Sequence, residues 1–270
     1  MNTQTLGDPM KPIGVLGVGD LTEKVVRGLR RGGCSAPIYL SPRNVEKAQN
    51  LAREFGCVVM PDNQAVVDAA PILLLGVRPG DLEALARSVD ISPEHQLVSV
   101  VAGVCHRELQ RVFGSANNIR MMLSLAAETN NATVVLNPPN AEIEALFSSL
   151  GTLVLVEQET QFELATVAAC MNGWFYFLLH DLHRWVTDKG LDPDQGRKLV
   201  LGSLSDCIAY ARLHENQSFA TLGKSIATSG TYTALGLEML GLHQANAAWS
   251  AACEVVLDAL LAKSEEGGHT

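Results

Sequence analysis

The stretch that decides the fold is residues 13–29, "IGVLGVGDLTEKVVRGL". A short apolar run reaches Gly17, a second glycine follows at Gly19, and a helical pattern begins near Leu21. Gly17 permits a tight turn, and Gly19 has no Cβ to keep a pyrophosphate away from the backbone. The phosphates would face the free N–H groups and the positive end of the helix. The stretch therefore predicts a strand, a turn and a helix that bind a dinucleotide, although a lone glycine pattern is often only a turn.

The third small position of this glycine pattern is occupied by Thr22 rather than glycine. The third glycine of such a motif serves close packing between the helix and the strand. We therefore expect the helix and the strand to pack slightly less closely here than in the usual motif.

The end of the second predicted strand indicates which nucleotide binds. A site for NAD usually places Asp or Glu about 20 residues after the glycines, where the carboxylate accepts from the ribose 2′-hydroxyl. Here the strand is followed by "SPRN", which has no carboxylate. Ser41 and Asn44 can donate to a phosphate, and Arg43 supplies positive charge and a fork of donors. This chemistry favours the 2′-phosphate of NADP; the alternative is an ordinary solvated arginine in a polar loop.

The first half of the chain alternates short apolar runs with helical patterns. Apolar runs without clean polar alternation are typical of strands buried on both faces of a parallel sheet. The pattern therefore predicts a doubly wound, Rossmann-type α/β domain with a parallel sheet over residues 1–160. The predicted strands are "PIGVLG", "PIYLS", "CVVM", "PILLLGV", "QLVSVVAG", "NIRMM", "ATVVLN" and "GTLVLVE".

The second half, residues 161–270, reads as an all-helical domain. Its run 164–179 is apolar enough to raise the question of a membrane span, but it is short and is interrupted by Asn172 and Gly173. We therefore expect a buried helix and no membrane. Because this helix is apolar on nearly every face, we expect a second subunit to cover it, in a homodimer or higher homo-oligomer; a stable monomeric core is the alternative. The predicted helices span residues 161–187, 194–214, 218–227, 231–240 and 244–263.

Composition excludes some partners and suggests a compartment. The formal charge of −9 argues against a nucleic-acid partner, because phosphates would be repelled. The first eleven residues are polar and lack the apolar core of a secretion signal. The six cysteines form no CxxC pair and lie in apolar surroundings, which suits reduced core thiols. We therefore expect a cytoplasmic protein.

Two further loops follow predicted strands at the edge where such sheets bind ligands. In "LLLGVRPGDLEAL", Pro79 fixes a turn and Arg78 projects toward the expected cofactor crevice. Gly103 ends the next strand, where the missing side chain lets a nicotinamide lie close to the backbone. A simple loop glycine is the alternative at that position.

Taken together, these motifs resemble those of the pyrroline-5-carboxylate reductase family. The resemblance spans almost the whole chain and is clearest in residues 13–29, in "SPRNVEKAQNLAREFG", in "LLLGVRPGDLEAL", in "VSVVAGV" and in "LFSSLGTLVLVEQE". That family reduces a cyclic imine to proline with NADPH or NADH, and its helical C-terminal domain interlocks between subunits. The resemblance implies a pyrophosphate site at Gly17, Val18, Gly19, Asp20 and Leu21, an adenosine phosphate site at Ser41, Arg43 and Asn44 with Asn63 beside the adenosine, and a nicotinamide side flanked by Val77, Arg78, Pro79, Ala102 and Gly103.

The substrate motifs depart from the family pattern. The chain has "MLSLAA" where the family commonly has "MPNTPA", "AACMNGW" where it has "SGSGPAY", and a shortened "TSGTYT" where it has "TSPGGTT". The family loop holds the substrate carboxylate with hydroxyls and N–H groups at a helix start, and a plain helix cap is the alternative here. By resemblance, Thr233 is the hydrogen-bond partner of the substrate nitrogen. Tyr232 lies inside the shortened loop, which makes it either a proton donor or a plug that narrows the pocket. The carboxylate-binding residues would be Thr228, Ser229, Gly230 and Thr231, together with Thr233.

The leading hypothesis is an NADPH-dependent reductase of a C=N bond, with an imine carboxylate as substrate. One alternative is a β-hydroxyacid dehydrogenase, but such enzymes typically use a lysine on the first long C-terminal helix and residues 161–188 contain none. Another is an NADP-binding dimer without reductase activity, which the altered substrate motifs favour. His180 and His183 stand three apart on one predicted helix, yet no convincing third ligand lies nearby, so we expect no metal site.

Overall fold

The computed structural model describes residues 10–114 and 117–266 and contains one eight-stranded sheet. Each of the eight apolar runs predicted to be strands forms one, so this part of the fold prediction is confirmed. The strands are β1 Ile13–Leu16, β2 Ile38–Leu40, β3 Val58–Val59, β4 Ile72–Leu75, β5 Gln96–Ser99, β6 Asn117–Met122, β7 Ala132–Asn137 and β8 Gly151–Leu155.

The strand order is β3-β2-β1-β4-β5-β6-β7-β8, which is doubly wound. The chain moves outward from β1 to β3 and then returns to place β4 on the other side of β1, so the order reverses between β1 and β4. The predicted parallel pairing is confirmed at six of the seven junctions, and at the remaining one β6 and β7 pair antiparallel. A loop with a short 3-10 turn joins these two strands directly, and such a connection reverses the strand direction.

Helices cover both faces of the sheet. In β1, Ile13 and Val15 contribute to one apolar core and Leu16 to the other, because successive side chains of a strand point to opposite faces. The helices of this half are α1 Asp20–Arg31, α2 Val45–Phe55, α3 Asn63–Ala69, α4 Leu82–Ala86, α5 His106–Phe113 and α6 Ala141–Phe147, with 3-10 turns at Pro79–Asp81, Leu125–Thr129 and Ser148–Leu150.

The rest of the described chain is helical, as predicted. Asp192 caps the helix that begins at Pro193, since its carboxylate accepts from the N–H groups of Asp194 and Gln195 at 3.0 and 3.1 Å. The helices are α7 Glu159–Asp188, α8 Pro193–Leu213, α9 Phe219–Ile226, α10 Tyr232–Leu242 and α11 Ala245–Glu266.

Internal contacts divide the chain into two compact units. One extends from the N-terminal part to Ala169 and includes the end of α11 from Leu257, and the other is Cys170–Val256. The domain boundary that we expected after residue 160 stays a prediction.

Helix α7 is less buried than we expected for residues 164–179. Its buried residues are Phe162, Glu163 and Val167, whereas Tyr176 and Phe177 are 73% and 75% exposed. The prediction of a buried helix is therefore wrong for a single chain, since one copy offers too little apolar surface to cover all faces of α7. By length and composition alone, α7 and residues 245–263 of α11 could also cross a membrane, which is weak support for a span.

Candidate functional site

The turn after β1 is built around Gly17. Its φ is +96°, a conformation that side chains disfavour, and a Cβ there would lie 2.9 Å from backbone atoms of Gly76 at the end of β4. Gly17 is therefore required by the fold itself, because β1 and β4 are neighbours and their ends approach closely.

Gly19 is in a different position, with an ordinary φ of −92°. A Cβ there would have the carbonyl oxygen of Gly76 as its nearest neighbour, at 3.8 Å, so the fold leaves open space in front of this residue. Helix α1 begins immediately afterwards at Asp20, one residue earlier than we expected. In the described part of the chain, the N–H groups of Asp20 and Leu21 have no protein partner. Free donors in front of an open space suit a bound phosphate.

Thr22 replaces the third glycine without loosening the packing. The side chain is 1% exposed, and its hydroxyl accepts from the N–H of Gly19 and donates to the carbonyl of Gly17, both at 2.8 Å. A Cβ on Gly76 would lie 2.1 Å from the Thr22 methyl group. The expectation of looser packing is therefore wrong: Gly76 provides the space that the methyl group fills, and the hydroxyl ties the turn together.

The loops after β2 and β4 form a pocket of about 170 Å³ beside this turn. Ser41 is buried at its base, where its hydroxyl accepts from the N–H of Gly17 at 2.9 Å. Asn44 caps α2, because its amide oxygen accepts from the N–H of Lys47. Five of the predicted cofactor residues come together as lining of the pocket: Gly17, Ser41, Arg43, Asn63 and Val77.

Asp81 also lines this pocket, and sequence reasoning missed it. Its carboxylate lies 2.8 Å from Nη1 of Arg43. The two residues are far apart in sequence, and they meet because β2 and β4 flank β1 on either side and their loops leave the sheet at the same edge. The absence of a carboxylate after β2 therefore did not mean the absence of a carboxylate in the pocket.

The remaining predicted cofactor residues lie on the same edge of the sheet but outside this pocket. Val18 is buried, which leaves only its backbone to face a ligand, and Arg78 and Pro79 are exposed at the 3-10 turn. Ala102 is exposed, and Gly103 has a φ of +67°. A Cβ on Gly103 would lie 3.2 Å from Nζ of Lys263, a cation that sequence reasoning missed at this position. Their assignment to the nicotinamide side stays a prediction.

Charged side chains brace the start of α1 against α2. Nζ of Lys47 donates to Asp20 at 2.7 Å and also to Glu23. This hydrogen bond holds the pKa of Asp20 below its usual value. Burial works to raise the pKa of Glu23, but the hydrogen bonds from Lys47 and Arg27 outweigh it, so that its pKa is also lowered. Lys47 thus offsets the negative charge of Asp20 at the end of α1 where a phosphate would bind.

The predicted substrate loop precedes α10, and Thr231 serves as its N-cap. The Thr231 hydroxyl accepts from the N–H of Ala234 at 3.2 Å and donates to the carbonyl of Thr228 at 2.8 Å. The capping alternative is therefore correct for this residue, whose hydroxyl is already engaged. In the described chain, the N–H groups of Tyr232 and Thr233 have no protein partner, as is usual in the first turn of a helix. Both side chains are exposed, as are Thr228, Ser229 and Gly230.

The two histidines of α7 do not converge on a common point with other metal ligands. Nε2 of His183 lies 2.9 Å from the carbonyl oxygen of Pro193, a contact that joins α7 to the start of α8. Within residues 10–114 and 117–266, no group of three or more His, Cys, Asp or Glu side chains is arranged to hold a metal ion.

A buried ion cluster lies at the end of β6. Arg120 is 3% exposed, and its Nη1 donates to Glu163 at 2.6 Å and to Glu159 at 2.9 Å. The guanidinium also lies 4.2 Å from the ring centroid of Phe162. Sequence reasoning missed this cluster. The signal available was the single arginine in the otherwise apolar end of "NIRMM".

Comparison with known proteins agrees with this architecture. The family model described as "NADP oxidoreductase coenzyme F420-dependent" matches residues 12–103. The chain is 23% identical to a pyrroline-5-carboxylate reductase of Staphylococcus haemolyticus, over 86% of this chain and 90% of the relative. It is 25% identical to pyrroline-5-carboxylate reductase 2 of Bacillus subtilis, over 86% and 87% of the two chains.

A solved structure shares the fold along nearly the whole chain. The pyrroline carboxylate reductase of Plasmodium falciparum with NADP bound superposes with a TM-score of 0.82 at 17% identity, over 94% of this chain and 98% of that one. The chain is thus similar in sequence to named pyrroline-5-carboxylate reductases across most of both chains, and it shares its fold with the solved one.

Proposed function

We propose that this chain is an NADPH-dependent reductase of a C=N bond whose substrate is a cyclic imine carboxylate, as in pyrroline-5-carboxylate reductases. The observation that carries the proposal is the pocket beside the β1–α1 turn, in which the backbone of Gly17 and the side chains of Ser41, Arg43 and Asn63 meet. It lies where the strand order reverses, the usual place for a ligand of an open α/β sheet. Named relatives with matching length support the choice of reaction.

The cofactor supplies a hydride for the carbon of the C=N bond. The chain's own groups bind and orient. The open space at Gly19 and the free N–H groups at the start of α1 suit the pyrophosphate, and Arg43 suits the 2′-phosphate. Proximity and orientation are the main contributions that such an enzyme has to make.

The N-terminus of α10 is the proposed site for the substrate carboxylate. The free N–H groups of Tyr232 and Thr233 lie at the positive end of this helix, which favours an anion. Gly230, with a φ of +85°, shapes the turn that leads into it, next to Thr228 and Ser229. Since the Thr231 hydroxyl is engaged as a cap, its contribution is to hold the loop rather than to bind the substrate directly. Thr233 is the proposed hydrogen-bond partner of the imine nitrogen.

Thr233→Val tests the assignment at the substrate nitrogen. Loss of one hydrogen bond of about 1.5 kcal/mol should lower kcat/KM for the imine about tenfold, while the Kd for NADPH stays unchanged. Tyr232→Phe is the matched comparison, because it removes the neighbouring hydroxyl and keeps the ring. If kcat/KM falls in Tyr232→Phe and not in Thr233→Val, Tyr232 is the donor and the assignment of Thr233 is wrong.

Arg43→Met tests the selectivity for the phosphorylated nucleotide. A charge-assisted hydrogen bond is worth about 1.5–3 kcal/mol, so the Kd for NADPH should rise about tenfold to hundredfold. The Kd for NADH should change little, since NADH has no 2′-phosphate. Titration calorimetry with both nucleotides measures this. Arg53→Met, an exposed arginine on α2 outside the pocket, is the control. Equal losses for NADPH and NADH would contradict the assignment of Arg43.

A steady-state assay tests the reaction itself. NADPH consumption should depend on pyrroline-5-carboxylate or a related cyclic imine carboxylate, and should be much slower with a 2-keto or 3-hydroxy acid. Turnover of other imines but not of pyrroline-5-carboxylate would show that pyrroline-5-carboxylate is not the substrate, and would leave a reductase of other imines. Binding of NADPH with no turnover of any imine would contradict the proposed reaction and leave a nucleotide-binding protein.

A second copy of the chain is the proposed cover for the exposed apolar surface of the helical unit. Trp174 and Phe175 of α7 contact Trp249 of α11 with ring centroids 6.1 and 5.6 Å apart, and beside them Phe177 remains 75% exposed. An exposed apolar surface of this kind marks an interface. Asp181 and Arg184 on the same helix are exposed and would be costly inside a bilayer. We therefore propose that the protein is cytoplasmic and forms a homodimer or higher homo-oligomer. Light scattering of the purified protein tests the oligomeric state, and a monomer would contradict it.

A further inference from the structure

The pocket proposed for the adenosine end of the cofactor has two charged side chains of opposite sign. Nη1 of Arg43 lies 2.8 Å from Oδ2 of Asp81. Among the described residues that line this pocket, these are the charged ones; the others are apolar residues, glycine, Ser41, Ser88 and Asn63. The arginine that should attract a phosphate is thus already paired inside the same pocket.

The backbone of Asp81 is fixed by the 3-10 turn to which it belongs. It ends the 3-10 turn Pro79–Asp81 and its N–H donates to the carbonyl of Arg78 at 2.9 Å. Helix α4 begins directly after it. The Asp81 side chain is 35% exposed and that of Arg43 is 74% exposed, so the carboxylate is the more fixed partner of the two. A ligand that uses Arg43 therefore meets a carboxylate that stays in the pocket.

The Asp81 carboxylate should affect the binding of NADPH and of NADH differently. A 2′-phosphate carries a charge near −2, and when it binds to the remaining N–H groups of Arg43 it comes close to the negative charge of Asp81. A ribose 2′-hydroxyl has no charge and can donate to a carboxylate, the interaction that NAD sites commonly use. Asp81 therefore opposes the phosphorylated nucleotide and not the unphosphorylated one.

We propose that Asp81 is a specificity-determining residue that weakens the preference of this pocket for NADPH and allows it to accept NADH as well. The inference rests on the proposed function, because it concerns the same nucleotide site. The choice between NADPH and NADH would then depend on Asp81, the partner of Arg43, as well as on the residues that follow β2.

Asp81→Asn tests the inference with little change of shape. The amide keeps an oxygen that can accept from Arg43 and removes the negative charge. The ratio of the Kd for NADH to the Kd for NADPH should rise about fivefold in low salt, and the rise should shrink as salt is added. Asp68→Asn, an exposed carboxylate on α3 that does not line the pocket, should leave the ratio unchanged. Asp81→Ser is a second variant without the charge, in case the first folds poorly.

The outcomes separate this inference from the proposed function. If the wild-type chain binds NADPH, and neither Asp81 variant raises the ratio above that of Asp68→Asn, the inference is overturned and the proposed function stands. If the wild-type chain binds neither nucleotide at millimolar concentration, both are overturned. Binding of adenosine 2′,5′-bisphosphate and of AMP should repeat the shift in ratio, because these fragments report on the adenosine end alone.

Discussion

Gly19→Val should weaken NADPH binding by at least about a hundredfold while the protein stays folded. A branched side chain at this position would occupy the open space in front of α1 and would keep the pyrophosphate from the free N–H groups of Asp20 and Leu21. Loss of two charge-assisted hydrogen bonds, at about 1.5–3 kcal/mol each, corresponds to this factor or more. Calorimetry with NADPH measures the loss.

Stability separates this effect from simple misfolding. The φ of −92° at Gly19 is open to any residue, and the nearest atom to a new Cβ is 3.8 Å away, so only the N-cap preference should be lost, at about 1 kcal/mol. Gly17→Ala is the contrasting variant: with a φ of +96° and backbone atoms of Gly76 at 2.9 Å, it should lower the melting temperature markedly. Normal NADPH affinity in Gly19→Val would contradict the position assigned to the pyrophosphate.

Arg120→Met should destabilise the chain by about 3–5 kcal/mol, the largest loss of stability that we expect from a single side chain. The substitution leaves Glu163, which is 4% exposed, without the guanidinium that lies 2.6 Å away. Removing one member of a buried ion pair leaves the charge of the other member unpaired, in a place that water solvates poorly. Chemical denaturation at pH 7 measures the difference in the free energy of unfolding.

A second substitution tests the cause. In Arg120→Met the buried Glu163 carboxylate has lost the guanidinium beside it, and Glu163→Gln removes its charge with little change of shape. Arg120→Met with Glu163→Gln should therefore be more stable than Arg120→Met alone. A double variant no more stable than Arg120→Met would show that lost packing against Phe162, not the unpaired charge, is responsible.

Local patterns carried most of the fold prediction. The eight apolar runs became strands, and the five helices of the second half begin and end within about three residues of the predicted bounds, because caps such as Asp192 and turn glycines are local signals. The direction of β7 is not a local property. Apolar runs look alike in parallel and antiparallel strands, so the antiparallel pairing of β6 with β7 did not show in the sequence.

The site was predictable where its residues are close in sequence. Gly17, Gly19 and Thr22 belong to one turn, and the motif identified them, although it did not show that Thr22 fits because Gly76 leaves room. Pairs that form across the sheet were missed. Arg43 and Asp81 meet through strand order, and the partners of Arg120 come from the start of α7, so neither pair can be found before the topology is known.

Hydride transfer from isotopically labelled NADPH tests the central claim most directly. With NADPH deuterated at the transferable position and pyrroline-5-carboxylate as substrate, mass spectrometry should find proline that carries one deuterium at the carbon of the former C=N bond. Gly19→Val should form almost none of it under the same conditions. Unlabelled proline, or labelled proline formed equally well by Gly19→Val, would contradict a reaction that uses NADPH bound at the start of α1.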